Sequence, residues 1–274
     1  MRPDGYHPLS SLVAFADVGD MVSVEPADGL SLTVTGPFAG ALGGEGDNLI
    51  LKALRALAAD RGLTDLPLHV TLDKRLPIAA GLGGGSSDAG AALHLANDAL
   101  GFGLPEAALE DLSRVVGADG PMCLRARSAW AEGIGERLTE APDLPPLHAV
   151  LYNPGRPSPT GAVYRAYDAD PSGDAICPPP PSDWRPDPVV EWLVGTRNDL
   201  EAPAAGLEPA IGSALRDMAA QSGARFVRMS GSGATVFGLF GTAEDAQQAA
   251  MNLHSNKGPG WAVATLLGVN APTR

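Results

Sequence analysis

Cysteine is scarce in this sequence: only Cys123 and Cys177 occur in 274 residues, far apart in the chain. A disulfide-stabilised secreted domain or a thiolate metal site needs more cysteines at closer spacing, so we expect reduced thiols and a cytoplasmic protein. The sequence also lacks a run of roughly eighteen uncharged apolar residues, which a membrane-spanning helix requires. The first twenty residues contain no uninterrupted apolar stretch like that of a signal peptide. We therefore expect no membrane partner.

Basic residues are also few compared with acidic residues. Lysine and arginine together number 19 against 32 aspartates and glutamates, which gives a formal net charge of -13. Such a field repels a polyphosphate chain, so we expect no nucleic-acid partner. A small anionic ligand is compatible with it, because a few N–H groups inside a cleft reverse the local potential. No pattern in the sequence indicates the oligomeric state.

Strand-like and helix-like segments alternate along the chain, which predicts an α/β or α+β protein. Short runs rich in β-branched and aromatic residues predict strands at 12–15, 30–34, 68–72, 149–152, 226–229, 235–240 and 262–267. Apolar residues at helical spacing predict helices at 48–61, 86–100, 106–116, 211–221 and 243–253. The proline-rich stretch 168–188 predicts an extended surface loop. A second proline cluster at 142–146 indicates a boundary between domains at 1–145 and 146–274.

A glycine-rich loop is the strongest local signal. Pro77 ends an apparent strand, glycines follow at 81, 83, 84 and 85, and Ser86 and Ser87 open an amphipathic helix. Glycines allow the backbone to approach a ligand closely, and the free N–H groups of a helix start attract anions, so the loop predicts a phosphate site. It is not a Walker loop, because the residue directly before Ser86 is a glycine and not a lysine. It also does not fit the dinucleotide fingerprint, which belongs to the first strand of a parallel sheet.

A second glycine-rich segment spans residues 228–237 and contains Ser230-Gly231-Ser232-Gly233 between two predicted strands. Alone it is compatible with a simple hairpin turn. Together, the two segments resemble the phosphate-binding motif and the third motif of the GHMP superfamily, which includes galactokinase, homoserine kinase and mevalonate kinase. The resemblance implies a two-domain α+β fold. Its N-terminal domain is similar to the second domain of ribosomal protein S5, and its C-terminal domain is ferredoxin-like.

The resemblance also implies ATP as the phosphate donor, with Mg²⁺. The residues expected to bind ATP are Asn48, Leu49, Lys74, Pro77, Ala79, Ala80, Gly81, Leu82, Gly83, Gly84, Gly85, Ser86 and Ser87. For Asn48 the alternative is a helix N-cap, and for Lys74 it is a solvated side chain. The metal ligands are not indicated, although Ser86 or Ser87 is placed to reach the ion.

The resemblance assigns the general base to Asp119, which would accept the proton of the substrate alcohol. Without the other motifs, Asp119 before Gly120-Pro121 is compatible with a simple turn. One branch of the superfamily has valine where this chain has Gly120, and we expect the glycine to loosen the backbone beside the carboxylate.

Residues 2–7 resemble a segment of that same branch, whose substrate is a cytidine-diphosphate-linked methylerythritol. The expected substrate-binding residues are Tyr6, His7, Asp119, Thr160, Tyr164, Gly231 and Ser232. Tyr6 and Tyr164 would sandwich the cytosine, and His7 would bind its polar edge. The implied reaction is ATP-dependent phosphorylation of the substrate's 2-hydroxyl group in isoprenoid (terpenoid) precursor synthesis. Another GHMP small-molecule kinase and an inactive or weakly active nucleotide-binding homologue are the alternatives.

Members of that branch carry a strand with a Lys-x-Asn motif upstream of the segment that matches residues 2–7. The present sequence starts at that segment. The upstream lysine would polarise the substrate hydroxyl and the γ-phosphate. We therefore expect the 274-residue chain alone to bind ATP weakly and to turn over slowly.

Overall fold

The computed structural model describes residues 7–42, 48–141, 144–171, 173, 178–256 and 260–269. Strands in these ranges are β1 (Leu9–Val13), β2 (Met21–Pro26), β3 (Ser31–Thr35), β4 (Leu68–Asp73), β5 (Ala129–Gly133), β6 (Arg137–Glu140), β7 (Leu147–Asn153), β8 (Ala224–Met229), β9 (Val236–Phe240) and β10 (Trp261–Leu267). The α-helices are α1 (Leu49–Asp60), α2 (Gly84–Ala99), α3 (Glu106–Ser113), α4 (Gly120–Arg125), α5 (Thr160–Ala169), α6 (Pro186–Val194), α7 (Glu201–Leu207), α8 (Pro209–Ala219) and α9 (Ala243–Asn256).

The first half of the chain holds two three-stranded sheets, ordered β2-β4-β3 and β1-β5-β6. β3 and β4 are parallel, joined through α1, whereas the other pairs in these sheets are antiparallel. In β4 the alternate residues Leu68, Val70 and Leu72 are buried, as expected for a strand with one face on a core. That core is completed by α1 and α2, whose Leu54 and Leu93 are fully buried. The glycine-rich loop joins β4 to α2 and is therefore anchored at both ends.

The second half forms one antiparallel sheet of order β10-β7-β9-β8. β7 lies between two strands and is almost entirely buried. Helices α8 and α9 pack against this sheet, and Ile211 and Met218 of α8 are fully buried. The tight turn that holds Ser230-Gly231-Ser232-Gly233 connects β8 to β9, so it projects from the end of two paired strands.

The two halves are joined directly at the edge of β10. Ala16 forms an isolated antiparallel bridge with Leu267, and the Asp17 N–H group donates to the Leu266 carbonyl at 3.0 Å. The Asp17 carboxylate accepts a bond from the Leu266 N–H group at 2.9 Å and another from the Thr265 hydroxyl. These bonds tie the segment after β1 to the second sheet.

Each strand and helix that the sequence predicts is present, with ends displaced by a few residues. The prediction of an extended loop over 168–188 is wrong at both ends, because α5 runs to Ala169 and α6 begins at Pro186. Pro186 occupies the first position of α6, where its fixed φ suits a helix and its missing N–H group costs nothing. Helices α4, α5 and α6 and strands β2 and β6 were not predicted. The domain boundary near residue 145 stays a prediction.

Gly120 does not loosen the backbone beside Asp119. It is buried at the start of α4, and a Cβ atom added there would lie 2.2 Å from the Ser113 carbonyl oxygen. Its N–H group donates to the Gly117 carbonyl at 3.1 Å. The absence of a side chain lets α4 pack closely against the end of α3.

Replacing Gly120 with valine, the residue of the family pattern, should therefore destabilise this chain. Because the new Cβ collides with a backbone carbonyl, we expect a loss of about 1–3 kcal/mol, measured by urea unfolding. Gly206→Ala in α7 is the matched control, since nothing lies within 4 Å of its added Cβ. That control should be neutral or slightly stabilising through helix propensity. Unchanged stability of Gly120→Val would show that α3 and α4 are not tightly packed.

Candidate active site

The glycine-rich loop adopts a backbone that side chains disfavour. Ala79, Gly81 and Gly83 have φ values of 51°, 72° and 66°. α2 then begins at Gly84, and the Ser87 N–H group donates to the Gly83 carbonyl at 2.9 Å. The N–H groups of the first helical turn, before Ser87, have no partner inside the helix. They create an anion-attracting end of α2 next to the loop.

The turn between β8 and β9 packs directly on this loop. The Ser230 hydroxyl donates to the Gly81 carbonyl at 2.8 Å, and the Thr235 N–H group donates to the Ala80 carbonyl at 3.1 Å. A Cβ on Gly81 would lie only 2.6 Å from the carbonyl oxygens of both Ser230 and Gly233. Gly81 is therefore required by the contact between the two turns, which the sequence pattern alone did not indicate.

Asp119 lies beside the loop, half-buried at the N-cap of α4, with no cap hydrogen bond from its side chain. Asp119 Oδ2 would be 4.0 Å from a Cβ on Gly83, and it has a weak contact of 4.0 Å with the Cys123 thiol. Burial, with a smaller contribution from the Asp119 charge, raises the pKa of Cys123 to about 12. The thiol therefore stays neutral and is no nucleophile. The Asp119 carboxylate remains available to accept a proton from a ligand.

Lys74 is 3% exposed, so the alternative of a solvated lysine is wrong. Its ammonium donates to Asp20 and, at 3.0 Å, to Asp88 Oδ2. Burial raises the pKa of Asp88 to about 7, although the Lys74 charge opposes that shift. Asp20 also accepts bonds from the N–H groups of Arg75 at 2.6 Å and Leu76 at 2.8 Å. This buried cluster fixes the start of the glycine loop to the start of α2. A phosphate contact for Lys74 stays a prediction.

Asn48 caps α1, because its Oδ1 accepts a hydrogen bond from the Ile50 N–H group at 2.9 Å. The structural alternative for this residue is therefore confirmed, and its contact with ATP stays a prediction. Leu49 packs against α2, with its Cδ1 atom 3.3 Å from the position of a Cβ on Gly85. Both residues line the same cleft as the glycine loop.

An aromatic cluster lines the same cleft. Tyr6 lies outside the described residues, whereas His7 stacks on Tyr164 with ring centroids 4.7 Å apart and planes inclined by 26°. His7 Nε2 lies 2.6 Å from Asp168 Oδ1, and the Tyr167 ring meets His7 edge-on at 6.1 Å. Tyr167 and Asp168 were not among the predicted site residues. Their spacing of three and four residues from Tyr164 would have indicated one face of a helix.

Thr160 and Ser232 are also brought together. The two hydroxyl groups lie 2.8 Å apart, and the Ser158 hydroxyl donates to the Ser232 carbonyl at 2.6 Å. Ser158 and Thr160 flank the start of α5, so they connect the turn to the helix that bears Tyr164. Gly231, with φ of 54°, sits in the middle of this turn.

These groups line one cleft of about 2110 Å³. The predicted site residues on it include Asn48, Lys74, Gly83, Ser87, Asp119, His7, Thr160, Tyr164 and Ser232. Within the described ranges, no group of three or more His, Cys, Asp or Glu side chains is arranged to hold a metal ion. No helix there is long and apolar enough to cross a membrane.

Known proteins resemble this chain over nearly its whole length. The family profile "GHMP kinases N terminal domain" matches residues 48–126, and "GHMP kinases C terminal" matches residues 193–259. A 4-diphosphocytidyl-2-C-methyl-D-erythritol kinase of Caulobacter vibrioides is 51% identical over 94% of this chain and 90% of its own length. The enzyme of the same name from Methylobacterium radiotolerans is 49% identical over 95% of this chain and 90% of its own length.

Solved structures agree with these relatives. A crystal structure of 4-(cytidine 5'-diphospho)-2C-methyl-D-erythritol kinase has a TM-score of 0.79 and 35% identity, and the match covers 98% of this chain and 93% of the other. The homoserine kinase of Cytophaga hutchinsonii has a TM-score of 0.66 over 91% of this chain and 87% of its own, at 19% identity, and shares the fold. These findings confirm the two-domain α+β fold that the motifs implied. The chain belongs to the GHMP kinases and, within them, to the family of the 4-diphosphocytidyl-2-C-methyl-D-erythritol kinases.

Proposed function

We propose that this chain transfers the γ-phosphoryl group of ATP to the 2-hydroxyl group of 4-diphosphocytidyl-2-C-methyl-D-erythritol, in isoprenoid precursor synthesis. The observation that carries the proposal is the position of Asp119 beside the glycine loop, in a cleft that His7 and Tyr164 also line. The part of the chain up to about residue 145 would bind ATP, and the part from 146 onward would contribute most of the substrate site.

The two groups of residues that line the cleft suit the two substrates of the reaction, ATP and the cytidine compound. Phosphoryl transfer depends mainly on positioning and on neutralising charge on the transferred group. The start of α2 offers backbone N–H groups for the phosphates, and Asp119 is free to accept the alcohol proton as the substrate oxygen attacks. The stacked His7–Tyr164 pair offers an aromatic face and a polar ring edge, which are suited to a pyrimidine.

The donor set fits Mg²⁺ that is bound mainly through the nucleotide. Mg²⁺ prefers oxygen ligands and usually binds through substrate phosphates with one or two protein groups. The hydroxyls of Ser86 and Ser87, at the start of α2, are the protein groups that we propose for it. The ion would neutralise charge on the phosphates, and the chain's own residues would orient them.

Asp119→Asn should retain ATP binding and lose at least about a hundredfold in turnover, because it removes the proton acceptor and little else. The measurement is steady-state turnover together with calorimetric ATP affinity. Asp111→Asn, at an exposed carboxylate of α3, is the control and should leave both values unchanged. Near-normal turnover of Asp119→Asn would exclude this residue as the base.

Gly83→Ala should lower ATP affinity and turnover, because the added methyl group would lie 3.1 Å from the Cys123 sulfur and 4.0 Å from Asp119 Oδ2, which would shift the loop. Gly101→Ala is matched in backbone, with φ of 63° against 66°, but has nothing within 4 Å of the added Cβ. Both variants should lose about 1–2 kcal/mol of stability from left-handed strain. If calorimetry gave the same ATP affinity for both, the loop would not be the phosphate site.

Tyr164→Ala should weaken binding of the cytidine substrate by about 1–3 kcal/mol, the usual contribution of one aromatic–base stack. Tyr164→Phe retains the ring face and should bind nearly as well as the unmodified chain. ATP affinity should not change in either variant. An equal loss of both ligands in the alanine variant would indicate a packing role for Tyr164 instead.

A further inference from the structure

The segment Thr196–Glu201, called here the brace, runs from the end of α6 to the first residue of α7 and contacts the turn that holds Ser230. Its sequence predicts a helix cap, but the N-cap of α7 is Leu200, which makes no side-chain cap bond. Asn198 Oδ1 instead accepts a hydrogen bond from the Leu200 N–H group at 3.0 Å and forms a turn before the helix. Such a turn does not require an amide, because aspartate or serine provides the same acceptor.

The other end of the Asn198 side chain points at the turn. Its Nδ2 atom donates to the Met229 carbonyl at 2.9 Å and to the Gly231 carbonyl at 2.8 Å. Glu201, three residues further on, accepts a bond from the Met229 N–H group at 2.7 Å. Two side chains of the brace therefore satisfy three backbone groups of residues 229–231. Serine has a single O–H donor on a shorter side chain and cannot replace both amide bonds, and aspartate would face the two carbonyl oxygens with a negative charge.

These bonds add to the backbone bonds of the turn itself, in which the Ser230 N–H group donates to the Thr235 carbonyl at 2.8 Å and the Gly233 N–H group donates to the Ser230 carbonyl at 2.9 Å. Gly231 and Gly233 have positive φ values of 54° and 86°, and the bonds from the brace fix the side of the turn that precedes them. Its Ser230 hydroxyl is the group that reaches the Gly81 carbonyl of the glycine loop. The turn therefore contacts the brace through Met229 and Gly231, and it contacts the glycine loop through the Ser230 side chain. Displacement of residues 229–231 would move Ser230 and release Gly81.

The brace is itself fixed in place. The Arg228 guanidinium donates to the Thr196 carbonyl at 2.7 Å and also to the Thr196 hydroxyl. The guanidinium lies 4.5 Å from the centre of the Phe226 ring. Burial lowers the pKa of Arg228. The brace is therefore joined to β8 both at its start and at its end.

We infer that Asn198 and Glu201 are positioning residues that hold the Ser230–Gly233 turn against the glycine loop and so set the alignment of the phosphates. Neither side chain needs to touch a ligand for this role. The kinetic consequence rests on the proposed function, whereas the structural consequence is measurable without any ligand.

The decisive experiment compares two variants with the unmodified full chain by hydrogen exchange without ligand. Asn198→Asp keeps the acceptor oxygen but loses both donors to the turn. We expect exchange of the Thr235 amide, which donates to the Ala80 carbonyl of the glycine loop, to accelerate by about tenfold, or 1.4 kcal/mol. Glu208→Ala removes the cap of α8, whose carboxylate accepts from the Ala210 N–H group at 3.1 Å, and serves as the control. It should leave exchange of the Thr235 amide unchanged.

Glu201 provides a second, independent pair of variants. Glu201→Gln keeps an acceptor for the Met229 N–H group and should behave like the unmodified chain, whereas Glu201→Ala should accelerate exchange of the Thr235 amide. In the kinase assay, the Asn198→Asp and Glu201→Ala variants should lose about 10- to 100-fold in kcat. Their KM for the cytidine substrate should rise by less than kcat falls, since the brace contacts the turn at Gly231 and the aromatic cluster lies on other elements.

The inference would be overturned if Asn198→Asp and Glu208→Ala lowered the melting temperature equally and neither affected exchange of the Thr235 amide. It would also be overturned if Glu201→Gln were as damaging as Glu201→Ala. Should the unmodified chain fail to phosphorylate the cytidine substrate while Thr235 exchange responds as expected, the proposed function would be at fault and the positioning role would stand.

Discussion

The contact between the two glycine-rich turns is the constraint on which the site depends. It consists of two hydrogen bonds, from the Ser230 hydroxyl and the Thr235 N–H group to the carbonyls of Gly81 and Ala80. These bonds join a loop of the first half of the chain to a turn of the second half. Because a Cβ on Gly81 would overlap two carbonyl oxygens, the contact has no room for any other residue. The shape of the phosphate site is thus decided by backbone packing between turns about 150 positions apart in sequence.

The buried cluster of Lys74, Asp20 and Asp88 supports the glycine-rich loop. Taking Lys74, Asp20 and Asp88 out of water is costly, and a well-packed apolar cluster is often at least as stable. Three charges with several backbone hydrogen bonds, however, accept few alternative geometries. Asp20 binds the N–H groups of Arg75 and Leu76, while Asp88 belongs to α2. The cluster therefore fixes where β4 ends relative to where α2 begins, which is the span that the glycines must bridge.

Much of this arrangement was predictable from sequence, because the glycine-rich segments are local signals. The loop before α2, the turn after β8 and the cap at Asn48 each follow from residue types at short spacing. What sequence did not reveal depends on distant partners. Gly120 was expected to loosen the backbone, yet it allows close packing because the Ser113 carbonyl happens to lie opposite. The Lys74 ammonium was expected to be at a ligand or in solvent, and it is buried by carboxylates at positions 20 and 88.

The same geometry explains how an acidic protein can bind a polyphosphate ligand. A chain of net charge -13 needs a local source of positive potential to bind phosphates. Lys74 is a weak source of positive potential, since its charge is offset by the two carboxylates that it contacts. The backbone dipoles at the start of α2 are a further source of positive potential, and the αL residue Gly83 leads directly into them. Dipoles attract an anion only along the direction in which they point, so their effect depends on how rigidly the loop is held. In this fold that rigidity comes from the Ser230 turn and, behind it, from Asn198 and Glu201.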